Sequence, residues 1–249
     1  MARMGKRATF AVAAVAFVLA VGAVVVVQAP GGLSGLLGPV APEDRADQVL
    51  AGIKAENTYL ALMEERRPDV YAELRQVLTA AAANGDPVMR MANDGRRVLA
   101  EWLVEAIATA PDPVALEMLA VTRGQFAELL ETNPQMCAAM ATGQEFGDIA
   151  PYVSAELRAR EQQVYEMLLS APAEPVVVLP EEELQAAYRQ ISPDLENRFG
   201  ADLALMEAGV VEEADSAKVC AMQVAILEAI EGLAPQRAAA VARAMLAGS

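Results

Sequence analysis

DPVMRMANDGRRVLAEWLVEAIATAPDPVALEMLAVTRGQFAELLETNP, residues 86–134, decides the fold. Three times an Asp or Asn stands directly before a proline, at Asp86-Pro87, Asp112-Pro113 and Asn133-Pro134, and a run with apolar residues three and four apart follows. An Asp or Asn can cap the first amides of a helix, and a proline in the first turn loses no hydrogen bond, so each pair reads as a helix start. Between the starts, Val88, Met91, Leu99, Trp102, Leu103 and Ile107, then Leu116, Leu119, Phe126 and Leu130, fall on helical spacing. Sustained alternation of the kind a half-buried strand needs is missing.

The same pattern extends in both directions. Upstream, Ala46, Val49, Leu50, Ile53, Leu60 and Met63 predict a helix ended by Pro68, and Val70, Leu74, Val77, Leu78 and Ala81 a second, closed by Asn84-Gly85. Downstream, a short helix runs from Pro134 to Gly143, and a longer one from Asp148 carries Val153, Leu157, Val164 and Leu168. Residues 171–180 break the series with three prolines around Val176-Val177-Val178-Leu179, a linker or a lone strand and a subdomain boundary. Beyond it are expected helices with Leu184, Tyr188 and Ile191, from Ser192-Pro193 to Gly209, from Asp215 or Ser216 to Gly232, and from Pro235 to Leu246. The sum is an all-α domain over residues 43–249, about ten short helices in a bundle or array. A Cys followed by a helix ending in Met-Leu, at Met167-Leu168 and Met245-Leu246, occurs on each side of the break and suggests duplication, without a clean repeat period.

The N-terminus has a different character. Residues 1–7 contain Arg3, Lys6 and Arg7, and no charge follows until Glu43. Residues 8–27 are apolar and, as a helix rising about 1.5 Å per residue, match the roughly 30 Å of a bilayer core. The expectation is a single transmembrane helix with a cytoplasmic basic tail at 1–7, a Gly/Pro linker at 28–42 and the helical domain outside the cytoplasm, periplasmic or extracellular. A cleaved signal peptide is the alternative, cut after Ala23 and releasing a secreted domain. The length of the apolar run and Pro30 directly after Ala29 favour the anchor.

Composition narrows function more by exclusion than by motif. Three of the 19 basic residues precede the apolar run, which leaves 16 against 34 acidic ones in the domain, a net of −18. Such a charge argues against nucleic acid or an anionic lipid surface as partner and favours a basic protein. The chain has no histidine, which removes Ser-His-Asp and Cys-His catalysis and the usual zinc sites. Residues 93–101 imitate half of a calcium loop, but Arg90 and Ala92 occupy ligand places.

Cys137 and Cys220, the two cysteines, are expected to form a disulfide, as an even pair in an exported domain usually does. A sharper alternative gathers Met136, Cys137, Met140, Cys220 and Met222 into a soft ligand set suited to Cu(I). Met and Cys are also ordinary core residues, so neither metal nor cofactor is assigned. No catalytic residue stands out. The leading expectation is a membrane-anchored binding or scaffolding protein of the cell envelope. A hydrolase or lytic enzyme using paired carboxylates is the second reading, and a small-ligand or Cu(I) carrier the third.

Overall fold

A computed structural model describes residues 41–144, 149–172, 176–207 and 211–247. The basic tail, the apolar run at 8–27 and the linker up to residue 40 lie outside the described residues. Among the described residues no helix is long and apolar enough to cross a membrane. All of them belong to helices or to the connections between helices, with no strand among them.

Among the described residues ten α-helices follow in order: α1 (Pro42–Glu56), α2 (Tyr59–Arg66), α3 (Pro68–Ala83), α4 (Val88–Ala108), α5 (Asp112–Thr132), α6 (Pro134–Ala141), α7 (Ala155–Ser170), α8 (Glu181–Phe199), α9 (Ser216–Glu231) and α10 (Pro235–Leu246). Short 3₁₀ segments lie at Ala150–Tyr152, Gly200–Glu207 and Glu213–Asp215. Helix α5 is the axis. Its buried residues, Val114, Ala115, Met118, Leu119, Val121, Thr122, Gln125, Phe126 and Leu129, do not form one stripe, because α6, α7, α9 and α10 cover it from several sides. On α10, Ala238, Ala239, Ala240 and Ala242 are buried. Small side chains let helix axes approach closely, and this helix packs on α4, α5, α8 and α9. Helices α1, α3 and α4 pack in succession, and α2 crosses to α7. Helices α9 and α10, which follow the proline-rich break, pack on α5, which precedes it.

Several boundaries differ from expectation for identifiable reasons. The first expected helix is two, broken at Asn57, whose backbone is extended. The buried Asn57 amide donates to the Ile53 carbonyl at 2.9 Å and accepts from Gln162 Nε2 at 2.9 Å, so a side chain replaces the next turn of backbone bonding. Conversely, the two helices expected around Ser192-Pro193 are one. Pro193 sits inside α8, and the Ser192 hydroxyl donates to the Tyr188 carbonyl at 2.7 Å just before it. This helix ends at Gly200, whose φ of 53° suits a residue without Cβ. Helix α7 starts at Ala155, with Ser154 as the cap accepting from the Leu157 amide at 3.2 Å and Val153 extended before it; Asp148, the expected start, lies outside the described residues.

The Asp-Pro starts work differently from Asn-Pro. Asn133 caps α6 as expected, accepting from the Met136 amide. Asp86 and Asp112 cap nothing; their carboxylates meet Arg90 and Arg243. The calcium-loop imitation at residues 93–101 lies wholly within α4, where Arg97 pairs with Glu101 one turn on.

Candidate functional site

Helix α7 places Leu157, Glu161, Val164, Tyr165 and Leu168 toward the core. Glu161 therefore occupies an apolar position and is only 2% exposed. Its Oε1 accepts from the Tyr165 hydroxyl at 2.8 Å, one turn along α7, and from Gln125 Nε2 of α5 at 3.0 Å. From α2, the Tyr59 ring packs against that of Tyr165, centroids 4.8 Å apart, and the buried Tyr59 hydroxyl has no hydrogen-bond partner among the described residues. Burial pushes the Glu161 carboxyl up to about 7, against the lowering influence of Tyr165, Gln125 and the more distant charge of Arg158. The same burial, with Glu161 adding to it, raises Tyr59 and Tyr165 above the usual phenol range.

This cluster was missed in the sequence. Its signal was available: Leu157, Glu161, Val164 and Leu168 share one helix face, and a lone Glu within an apolar stripe is a buried carboxylate in waiting. Close packing positions it. A Cβ on Gly124 would lie 2.9 Å from Leu157 Cδ1, so α7 rests directly on the backbone of α5 one residue before Gln125.

The expected sulfur pair does come together. Cys137 on α6 and Cys220 on α9 are joined as a disulfide, with Cα atoms 5.5 Å apart and both side chains fully buried. The two sulfurs lie 3.6 and 3.5 Å from one acceptor, the Phe126 carbonyl oxygen of α5. Met140 and Met222 are buried in the core, and Met136 packs against it. Thiolates joined to each other are not available as metal donors, so the soft ligand set does not exist in this oxidised form. Beside the bridge, where α6 ends and α9 begins, an open hollow of about 170 Å³ is lined by Gln135, Ala138, Ala139, Gln144, Val211, Glu213 and Ser216. That is below the roughly 300 Å³ at which small-molecule pockets begin.

A third feature lies on the surface. Residues 176–180 are non-helical, and Val177 and Val178 are 52% and 78% exposed. The stretch is fastened from beneath by Arg243 of α10, itself buried. Its Nη2 donates to the Val177 carbonyl at 3.0 Å, and its Nη1 donates to the Ala110 carbonyl at 2.9 Å and to Asp112 Oδ1 at 2.8 Å. Glu181, Glu182 and Glu183, all exposed, follow at the start of α8, where their charge suits the helix dipole.

Comparison with models of known families, with characterised proteins and with solved structures finds no match. The functional reading therefore rests on the chain's own residues.

Proposed function

We propose that this protein is a binding module of the cell envelope, anchored by a transmembrane helix at residues 8–27 and contacting a partner protein through Val176–Leu179. The observation that carries this reading is the pair of adjacent exposed valines held in place by a buried arginine. Large apolar side chains left in water together, on backbone that the core fixes, are better explained by a partner than by packing within the chain. The partner suggested by the surroundings is an extended segment with apolar residues flanked by Lys or Arg. Its cations would meet Glu181, Glu182 and Glu183, in a domain of net charge −18. Two features support the location: Arg3, Lys6 and Arg7 before the apolar run, and a cystine, which persists in oxidising compartments.

The test is site-specific photo-crosslinking. The full chain, expressed in its membrane with a benzophenone amino acid in place of Val178, should give one adduct of constant mass on irradiation. Substituting Val177→Asp in that chain should abolish the adduct while leaving the thermal transition unchanged. No adduct at position 178, or one unaffected by Val177→Asp, would remove the reading. The hydrolase alternative gains nothing from Glu161, which is enclosed by Tyr165, Gln125 and Tyr59 rather than set across a cleft from a second carboxylate.

A further inference from the structure

The junction of α2 with α7 combines three features that ordinary core packing avoids: an internal carboxyl, a buried hydroxyl without a partner, and a short helix held at one end by polar bonds. Helix α2 is eight residues long, and Tyr59, Leu60 and Met63 are its buried residues. Its N-terminal side is tied to α7 by Gln162 to Asn57 and by the Thr58 hydroxyl donating to Glu166 Oε1 at 2.7 Å. Tyr59 stands next to Glu161 without bonding to it.

We infer that Glu161 is a proton-operated latch: protonated, it keeps the α2–α7 junction closed and dry; ionised, it loosens α2 from α7 and admits water beside Tyr59. The ionised carboxylate has two donors on one oxygen and, among the described residues, no cation in contact, too little to replace the hydration it loses. The groups that act on it are Tyr59 from α2 and Tyr165 and Arg158 from α7. Arg158 is exposed. Helix α5 offers the neutral Gln125, its Glu117 and Glu128 being engaged with Arg160 and Ser154 and its Arg123 with Glu231. On α4, Arg97 and Glu101 pair at the surface and Glu105 is exposed. The junction gives way on the α2 side because that helix is short and already carries the orphan hydroxyl, whereas α5 is covered on several faces. Helix α1 is held separately by its packing on α3, so the latch bears on α2 and its seat on α7.

Backbone amide exchange on the full chain in detergent tests this, with protection factors corrected for the intrinsic effect of pH. Between pH 5.5 and 8.5 the protection of Leu60–Met63 should fall at least tenfold, while that of Leu119–Leu129 in α5 stays constant. In Glu161→Gln the fall should vanish. In Tyr165→Phe, which removes one donor to the carboxylate, it should persist with its midpoint at higher pH; this variant decides the matter if Glu161→Gln does not fold. Constant protection of α2 across the range, an equal fall in Glu161→Gln, or an unmoved midpoint in Tyr165→Phe would overturn the inference.

Discussion

Gln125 on α5 donates its side-chain amide to Glu161 on α7 at 3.0 Å, a polar bond between two buried side chains of helices that also bury Phe126, Leu129, Leu157 and Val164. Burial of that carboxyl, which the bond only partly offsets, determines how stability responds to pH. Glu161 titrates near 7 when folded, against the ordinary carboxyl value of 4.5 once the chain unfolds. Between those values the folded state holds a proton that the unfolded state has released. The stability from this group is therefore complete below about pH 4.5 and is lost as pH rises through 7. The difference amounts to roughly 3 kcal/mol. Urea unfolding should show wild type and Glu161→Gln nearly equal at pH 4.5, and the Gln variant more stable by up to about 3 kcal/mol at pH 8.5. A variant weaker than wild type at pH 8.5 would mean that the ionised carboxylate stabilises the fold.

The bridge between Cys137 and Cys220 closes a separation of 83 residues. Loop entropy gives it about 4.5 kcal/mol, an upper figure because native geometry usually subtracts from it. The Cys137→Ala, Cys220→Ala double variant should unfold at lower temperature than wild type, and wild type treated with a reductant should follow it. Ellman titration of unreduced, denatured protein should find no thiol. In the dithiol form each S–H regains the Phe126 carbonyl as an acceptor, so the reduced protein should keep its helix content at low temperature. Collapse of the far-ultraviolet dichroism on reduction at 10 °C would contradict that.

How much of this was readable in the chain depends on whether the deciding interaction was local. Helix starts at Pro134 and Pro235 were legible because proline states its own φ and lacks its own donor. Asn57 and Pro193 were misread in opposite senses. Asn57 breaks a helix that its periodicity would continue, since its amide has a distant partner in Gln162. Pro193 stays inside a helix that its chemistry would end, because the surrounding turns are held by Ile191 and Leu195, both buried. The cysteine pair could be named from number and compartment alone, but the Glu161 cluster could not be assembled. Its partners come from positions 36 residues upstream and four downstream, and only the second offset is a sequence rule. Arg243 is similar: it reads as a cation suited to the end of a helix, yet it is buried and reaches 131 residues back to Asp112.

Arg243 supplies a third test. Replacing it with Met keeps the packing volume but strands the Ala110 and Val177 carbonyls and the Asp112 carboxylate, which should cost about 3 kcal/mol. Asp112 is partly exposed and can be solvated, so Asp112→Asn should cost about 1 kcal/mol or less. A double variant no worse than Arg243→Met alone would show that the arginine acts on all three acceptors together. Equal costs for the two single variants would show instead that the ion pair accounts for the effect and the carbonyl bonds contribute little.

Two glycines inside helices should answer the same substitution with opposite signs. At Gly52 in α1 an added Cβ meets nothing within 4 Å among the described residues. Alanine there lowers the backbone entropy lost on folding, so Gly52→Ala should stabilise the domain by about 0.5–1 kcal/mol. At Gly124 the added Cβ meets Leu157 Cδ1 at 2.9 Å and Cδ2 at 3.0 Å, tighter than packed carbons tolerate. Leu157 is buried, so α7 must shift or the leucine must leave its rotamer. Overpacking of this size costs about 1–3 kcal/mol, more than the propensity gain, and Gly124→Ala should be destabilising overall. It should also move Gln125 away from Glu161. Combining Gly124→Ala with Leu157→Ala should restore part of the loss by making room for the methyl group. If both glycine variants prove stabilising, α5 and α7 are not in close contact, and the seat of Glu161 would be looser than its two hydrogen bonds imply.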